Sequence, residues 1–355
     1  MSKRVLLGMS GGVDSSTSAV LLKNQGYEVI GATMELWQDE RATEKSCCSY
    51  SAVNDAKRVC DKLDIPHYVV NCKAEFRKCV VDDFINCYDN AKTPNPCVEC
   101  NKYLKFGAFY RKAMELECDY IATGHYAKVE YSERYNQYVL KRADATAKDQ
   151  SYFLYRIPTE VLSKIIFPLE NYTDKEQIRK IARKNELPVA EKKESQEVCF
   201  IPDDNYVKFI KEHSNIKIRE GNIVLKNGEV LGKHNGIINY TVGQRKGLGI
   251  SYSEPLYVLK LDKDKNEVIV GTEKELYTKE VFTEDLNYLV PSLENKKIEV
   301  EAKVRYRAKP AKAVLYPLEN GKAKFVFEEA QRAVTPGQSL VFYIDDVVIG
   351  GGKII

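Results

Sequence analysis

Apolar residues fall in short runs along the chain, and the period of those runs changes partway, which predicts two kinds of architecture. Residues 5–9 form a short apolar run that predicts a core strand, followed by a Gly/Ser turn. Residues 15–25 carry helical spacing, and Gly26 stands where a helix-terminating glycine belongs. Further strands are predicted at 27–34, 67–70 and 120–123, with helices at 51–63 and 106–116. This strand–turn–helix rhythm predicts an α/β part built on a doubly wound parallel sheet.

The helical period fades after about Pro202. Asn227-Gly228, between apolar stretches at 222–225 and 229–231, is a strong hairpin signal. Short strands at 254–261, 267–271, 298–306, 313–316, 323–327 and 339–344 predict small β-domains, the last one barrel-like. The expected organisation is a catalytic domain at 1–203, a small β-rich central domain at 204–272 and a C-terminal β-barrel domain at 273–355. No internal repeat or low-complexity linker interrupts it.

A length of 355 residues exceeds one usual domain, and 44% hydrophobic residues supply sizeable cores. The net charge of +3 is nearly neutral, so any electrostatic footprint for RNA must be local. No apolar run approaches the roughly 20 residues needed to cross a bilayer. The apolar part of the N-terminus, Val5 to Gly8, is too short for a signal peptide, and a cytoplasmic location is expected. All ten cysteines lie at or before Cys199. In a reducing compartment such thiols are core fillers, metal ligands or catalysts rather than permanent cross-links.

Ser10-Gly11-Gly12-Val13-Asp14-Ser15-Ser16 follows the first strand and opens a helix. Glycines there let the backbone approach an anion, and the amides at the helix start point toward it. Hydroxyls of Ser10, Ser15 and Ser16 add donors, and Asp14 suits a Mg²⁺ position. There is no Walker lysine, so the loop differs from one built for γ-phosphate transfer and suits pyrophosphate release. The segment resembles the SGGxDS signature of the PP-loop ATP pyrophosphatase superfamily. Members amidate, ligate or thiolate, so other residues must choose the chemistry.

Thr93-Pro94-Asn95-Pro96-Cys97-Val98-Glu99-Cys100-Asn101 is a stiff stretch ending in a CxxC, and its prolines are expected to oppose a helix. Glu194-Ser195-Gln196-Glu197-Val198-Cys199-Phe200-Ile201-Pro202-Asp203 presents a further cysteine at the edge of the α/β part. With Thr123-Gly124-His125-Tyr126-Ala127, Lys148-Asp149-Gln150-Ser151, Tyr240-Thr241-Val242-Gly243-Gln244-Arg245-Lys246-Gly247 and Pro336-Gly337-Gln338, these segments resemble the tRNA-specific 2-thiouridylase (MnmA) family over essentially the whole chain.

The resemblance implies the following roles. Cys199 carries a persulfide supplied by a cysteine desulfurase or a sulfur-relay protein. Cys100 is the partner thiol that frees the sulfur and closes a transient disulfide with Cys199. Gly8, Met9, Ser10, Gly11, Gly12, Val13, Asp14, Ser15, Met34 and Gly124 contact ATP. Asn95, Pro96 and Cys97 face the target base, while His125, Lys148, Asp149, Gln150, Arg305, Tyr306 and Gln338 contact tRNA. The substrates implied are the Lys, Glu and Gln isoacceptors.

The family pattern has Asp where this chain has Cys97. That change leaves a second reading open, in which Cys97, Cys100 and Cys199 hold a [4Fe-4S] cluster that carries sulfide. A zinc site using Cys47 or Cys48 lacks a His-rich complement. Cys60, Cys72, Cys79, Cys87 and Cys118 fall in helix or strand patterns, where core filling is expected. Along residues 298–307, an extended strand is expected to pack Ile298, Val300, Ala302, Val304 and Tyr306 inward and turn Lys303, Arg305 and Arg307 outward. The basic stretch 175–184 reads as a solvated helix face, and Gln244–Gly247 as a basic turn suited to phosphates. An amidating ligase is the first rival function, and it predicts an ammonia-handling element that is not found. A tRNA-binding module that has lost catalysis is the second, and it predicts loss of Ser10, Asp14, Cys100 or Cys199, all of which are present.

Overall fold

The computed structural model describes residues 2–37, 50–144, 148–192, 198–201 and 203–355. Cys47, Cys48 and residues 194–197 lie outside the described residues. The chain divides into two compact units. One comprises Met1–Val81, Pro96–Asn205 and Asp346–Val348, and the other Asp82–Asn95, Tyr206–Asp345 and Ile349–Ile355.

The first unit is built on a parallel sheet. Strand β1 (Arg4–Gly8) leads through the Gly/Ser turn into helix α1 (Val13–Asn24), and β2 (Glu28–Glu35) follows. Helix α2 (Tyr50–Lys62) precedes β3 (His67–Asn71), and β4 (Tyr120–Ala122) comes later. The order is β3-β2-β1-β4, with the short strand Ile165–Ile166 at the far edge. The sheet therefore grows outward in both directions from β1 and β4. The loops leaving these two strands meet at the carboxyl end of the sheet, where open α/β folds bind ligands. Val5, Leu7, Val20, Leu22, Val29, Ile178 and Ala182 pack into one core that joins the sheet to α1 and to helix Lys175–Lys184.

Local chemistry explains how α1 ends. Gly26 adopts φ +85°, its amide donates to Lys23 O, and the Tyr27 amide reaches back to Leu22 O at 3.2 Å. This paired closure satisfies carbonyls that the last helical turn leaves open, as expected at a glycine stop.

The second unit holds two β-structures. Strands Tyr257–Asp262, Glu267–Gly271, Gly221–Leu225 and Val230–His234 form a four-stranded sheet in that order. Its hairpin turns at Gly228 with φ +90°, where the sequence signal lies. Strands Tyr277–Tyr288, Ala323–Arg332, Ala311–Pro317, Ile298–Lys303, Ser339–Ile344 and Val347–Ile354 follow one another in a sheet, and the first closes onto the last. Closure removes exposed edges and makes a barrel. Buried Val300, Ala302, Leu315, Phe325, Phe327 and Phe342 face its interior.

The strand predicted over 298–307 stops at Lys303. Val300, Ala302 and Val304 are buried as expected and Ile298 is half-buried at the strand's start, but Arg305, Tyr306 and Arg307 lie in a turn closed by the Ala308 amide on Arg305 O. Tyr306 is therefore not an inward strand residue. It lies under the Lys303 ammonium, 5.5 Å from the ring centre.

A candidate nucleotide and sulfur-transfer site

The Gly/Ser turn is shaped by contacts that a larger residue would break. Gly11 adopts φ +68°, and a Cβ there would stand 2.3 Å from the carbonyl oxygen of Ala52. Gly12 is the N-cap of α1 and supplies no side-chain cap, so the first amides of the helix keep their donors for an anion. The Ser15 hydroxyl donates to Gly12 O at 3.1 Å and accepts from the Ser10 amide at 3.2 Å, which folds the turn back on the helix. Lys192 ties the outer side, donating to Gly11 O at 3.0 Å and to Asp55 at 2.7 Å.

Gly124 follows β4 and presses on this turn: a Cβ there would be 3.0 Å from the Ser15 amide nitrogen and 3.2 Å from the Asp14 Cβ. Met9 is buried and Met34 half-buried at the end of β2. The residues expected to contact ATP from Gly8 to Ser15 thus run from the end of β1 through the turn into the first residues of α1, with Gly124 against them.

Asp14 is held at both carboxylate oxygens. The Tyr126 hydroxyl donates to Oδ1 at 2.9 Å, and Lys175 Nζ lies 2.6 Å from Oδ2. The Lys175 side chain is 14% exposed. Residues 175–184 read as a solvated face from sequence, and that reading fails for Lys175. No local signal marks it, because its partner is 161 residues away. A carboxylate at the start of α1 is a hard oxygen donor of the kind Mg²⁺ takes alongside phosphate oxygens, so the residues present fit that ion.

His125 sits beside Gly124 with both ring nitrogens engaged. Lys105 Nζ lies 3.3 Å from Nε2 and Thr123 Oγ1 lies 2.8 Å from Nδ1. An ammonium can only donate, so Nε2 accepts and the Nδ1 proton points to Thr123. Burial, then the Lys105 charge, push the imidazole well below its ordinary pKa, so it is neutral.

Pro96 begins a helix rather than opposing one. The helical turn Pro96–Glu99 runs into a π-helical stretch Cys100–Ala108 and then Phe109–Glu115. Proline's fixed φ and missing amide proton suit the first turn, so the two prolines mark a helix start. Within it Cys97 is exposed and Cys100 buried. The neighbours of Cys100 are anchored on both sides. Glu99 forms an ion pair with Arg156 at 2.9 Å, both buried, and the Asn101 amide donates to Phe153 O at 3.0 Å.

Cys199 is half-buried in a turn closed by the Ile201 amide on Val198 O. Phe200 is buried beside it and meets Phe76 edge-on at 5.5 Å. The Lys73–Phe76 turn also packs against the Cys100–Ala108 helix, so it touches both cysteine-bearing segments. Cys100 and Cys199 are both thiols. Among the described residues, no group of three or more His, Cys, Asp or Glu is gathered closely enough to hold a metal ion. Cys97, Cys100 and Cys199 are not gathered into such a group in this structure. Burial pushes the thiols of Cys60 up to about 12 and of Cys72 and Cys118 up to about 11, which fits the core-filling expectation.

Two expected tRNA contacts have internal work. Asp149 is buried and accepts from the Ala143 amide and from the Ser151 amide and hydroxyl. Gln150 Oε1 accepts from the Tyr126 amide at 2.9 Å, leaving its NH₂ group as the side-chain element that can meet a base. In the second unit, Gln338 Nε2 donates to Thr93 O and Pro94 O, next to Asn95. Arg305 is exposed.

Residues 3–203 match the family described as the tRNA methyl transferase HUP domain. Residues 207–272 match its PRC-barrel domain, and 278–354 match an aminomethyltransferase beta-barrel domain. The chain is 52% identical to the tRNA-specific 2-thiouridylase MnmA of Clostridium botulinum (strain Alaska E43 / Type E3), over 99% of this chain and 98% of that one. It is 51% identical to the protein of the same name from Clostridium beijerinckii, over 100% and 99% of the two chains. The Clostridioides difficile relative of that name is 47% identical over 100% and 98%. Identity of this depth along nearly the full length of each relative shows that the chain belongs to the tRNA-specific 2-thiouridylase (MnmA) family.

Proposed function

We propose that this protein is an ATP-dependent sulfurtransferase that converts the wobble uridine of tRNA to 2-thiouridine. The observation that carries the reading is the presence, in one compact unit, of an uncapped phosphate turn without a Walker lysine and two cysteine segments packed on a common turn.

The uracil O2 attacks the α-phosphorus of ATP and pyrophosphate leaves, which turns a reluctant oxygen into a good leaving group. The amides of Val13, Asp14 and Ser15 and the Ser10 hydroxyl hold the phosphates, since the Ser15 and Ser16 hydroxyls donate to Gly12 O; Asp14 would hold Mg²⁺, which would supply charge neutralisation. The terminal sulfur of a Cys199 persulfide then attacks C2, and AMP departs with the former O2. Cys100, as thiolate, attacks Cys199 Sγ and breaks the S–S bond. The base keeps a thiocarbonyl, and a Cys100–Cys199 disulfide forms that an external thiol must reduce. Loop bases unstack at lower cost than duplex bases, which suits an extruded wobble uridine. We further assign the persulfide to a cysteine desulfurase or relay protein, and the tRNA set to the Lys, Glu and Gln isoacceptors.

The test combines the protein with Mg-ATP, a persulfide donor and a tRNA transcript bearing wobble uridine. Pyrophosphate release together with retarded migration on a mercury-containing gel is expected. Cys199→Ser should retain pyrophosphate release and lose the retarded band. Normal thiolation by that variant would overturn the sulfur path.

A further inference from the structure

The phosphate turn has no lysine of its own, yet an ammonium stands against it from another part of the chain. Lys175 begins a helix fixed to the unit by buried Ile178 and Ala182, and Thr17 Oγ1 donates to Ile178 O at 3.4 Å. That anchorage sets Lys175 Nζ 2.6 Å from Asp14 Oδ2, with Tyr126 on the other oxygen. The carboxylate that fits Mg²⁺ is thus already neutralised. A divalent cation approaching it meets like charge in a partly desolvated place, where charges are weakly screened.

We propose that the Asp14–Lys175 pair is a latch that makes metal binding conditional on the nucleotide. It rests on the ATP-activating reading above. Without nucleotide, Lys175 occupies the Asp14 oxygen that the metal needs. The polyphosphate offers the ammonium several anionic oxygens at the uncapped amides of α1, so Lys175 changes partner and Asp14 is released. Lys175 then supplies, from a helix remote in sequence, a cation to the phosphates beside the first amides of α1. Nucleotide and metal tighten each other's binding, because such coupling is reciprocal. An ion pair that only ties the helix to α1 predicts that removing the Lys175 charge leaves metal affinity without nucleotide unchanged.

The experiment measures Mn²⁺ binding to the full chain by electron paramagnetic resonance, with and without α,β-methylene ATP, which cannot release pyrophosphate. In the wild type the analogue should tighten Mn²⁺ about tenfold. Lys175→Met should bind Mn²⁺ alone about tenfold tighter than the wild type and lose most of the gain from the analogue. Lys175→Arg should restore wild-type behaviour, and Asp14→Asn should abolish the site. If Lys175→Met does not fold, Lys175→Gln makes the same test, since it keeps a donor to Asp14 without the charge. Unchanged Mn²⁺ affinity in the uncharged variant, with the analogue still binding the wild type, overturns the latch. Failure of the analogue to bind the wild type overturns the ATP reading instead.

Discussion

At the residue scale, small steric and electrostatic facts decide the chemistry. Gly11 is a position where any side chain meets the Ala52 carbonyl and any L-residue is strained. Gly11→Ala should lower stability by about 1–3 kcal/mol from backbone strain alone and raise the KM for ATP, checked by denaturant titration and pyrophosphate assay. His125, His67 and His234 all have their imidazoles pushed below the ordinary value, chiefly by burial. The unfolded chain therefore binds protons near pH 6.5 that the folded chain refuses. Stability should be full above that pH and fall as pH drops below it. Urea midpoints at pH 7.5 and 5.5 should show the loss in the wild type, and His125→Gln should lose less. The turn itself was legible, because Gly-Gly, an acid and paired serines are a local pattern. Lys175 was not legible, since a long-range ion pair leaves no mark on its neighbours in sequence.

At the element scale, the helix carrying the CxxC is the instructive case. Pro94 and Pro96 predict a break in helix, whereas Pro96 occupies a first turn that tolerates it. The π-helical stretch Cys100–Ala108 was invisible too, because i→i+5 bonding has no compositional signature, although such stretches often lie at functional sites. Deleting Gly107 should convert the stretch toward α-helix and turn the residues before it by roughly 100°. Thiolation should fall sharply while pyrophosphate release persists, which separates sulfur delivery from activation. The Glu99–Arg156 pair anchors the same helix. Arg156→Met removes the buried cationic partner of the Glu99 carboxylate and should cost about 3–5 kcal/mol in a denaturant titration. Strand periods, by contrast, read well: the parallel strands and the Asn227-Gly228 hairpin appear where alternation and turn chemistry put them. The end of the strand before Arg305 did not, since alternation alone cannot say where pairing stops.

At the scale of the whole molecule, the near-neutral charge confines any attraction for RNA to patches. Each phosphate contact removed should lower the salt slope of tRNA affinity by about one. Arg305→Gln should show that decrement in a binding titration across ionic strength, with wild-type melting behaviour, because Arg305 is exposed. The change of hydrophobic period forecast an α/β part and a β-rich part. The membership of Asp82–Asn95 in the second unit could not be forecast, since it depends on partners hundreds of residues away.

That membership bears on synthesis. The Thr93 amide bonds Pro336 O, Lys92 pairs with Glu284 and Asp83 with Lys353. As the ribosome works from the amino end, Phe84 and Tyr88 find Phe209 and Tyr206 first, whereas the partners of Thr93 and Asp83 arrive only with the final strands. A nascent protein stalled before Pro336 should therefore leave the stretch 92–95, just before the cysteine helix, open to protease, and sulfur chemistry should switch on only once the final strands have been translated.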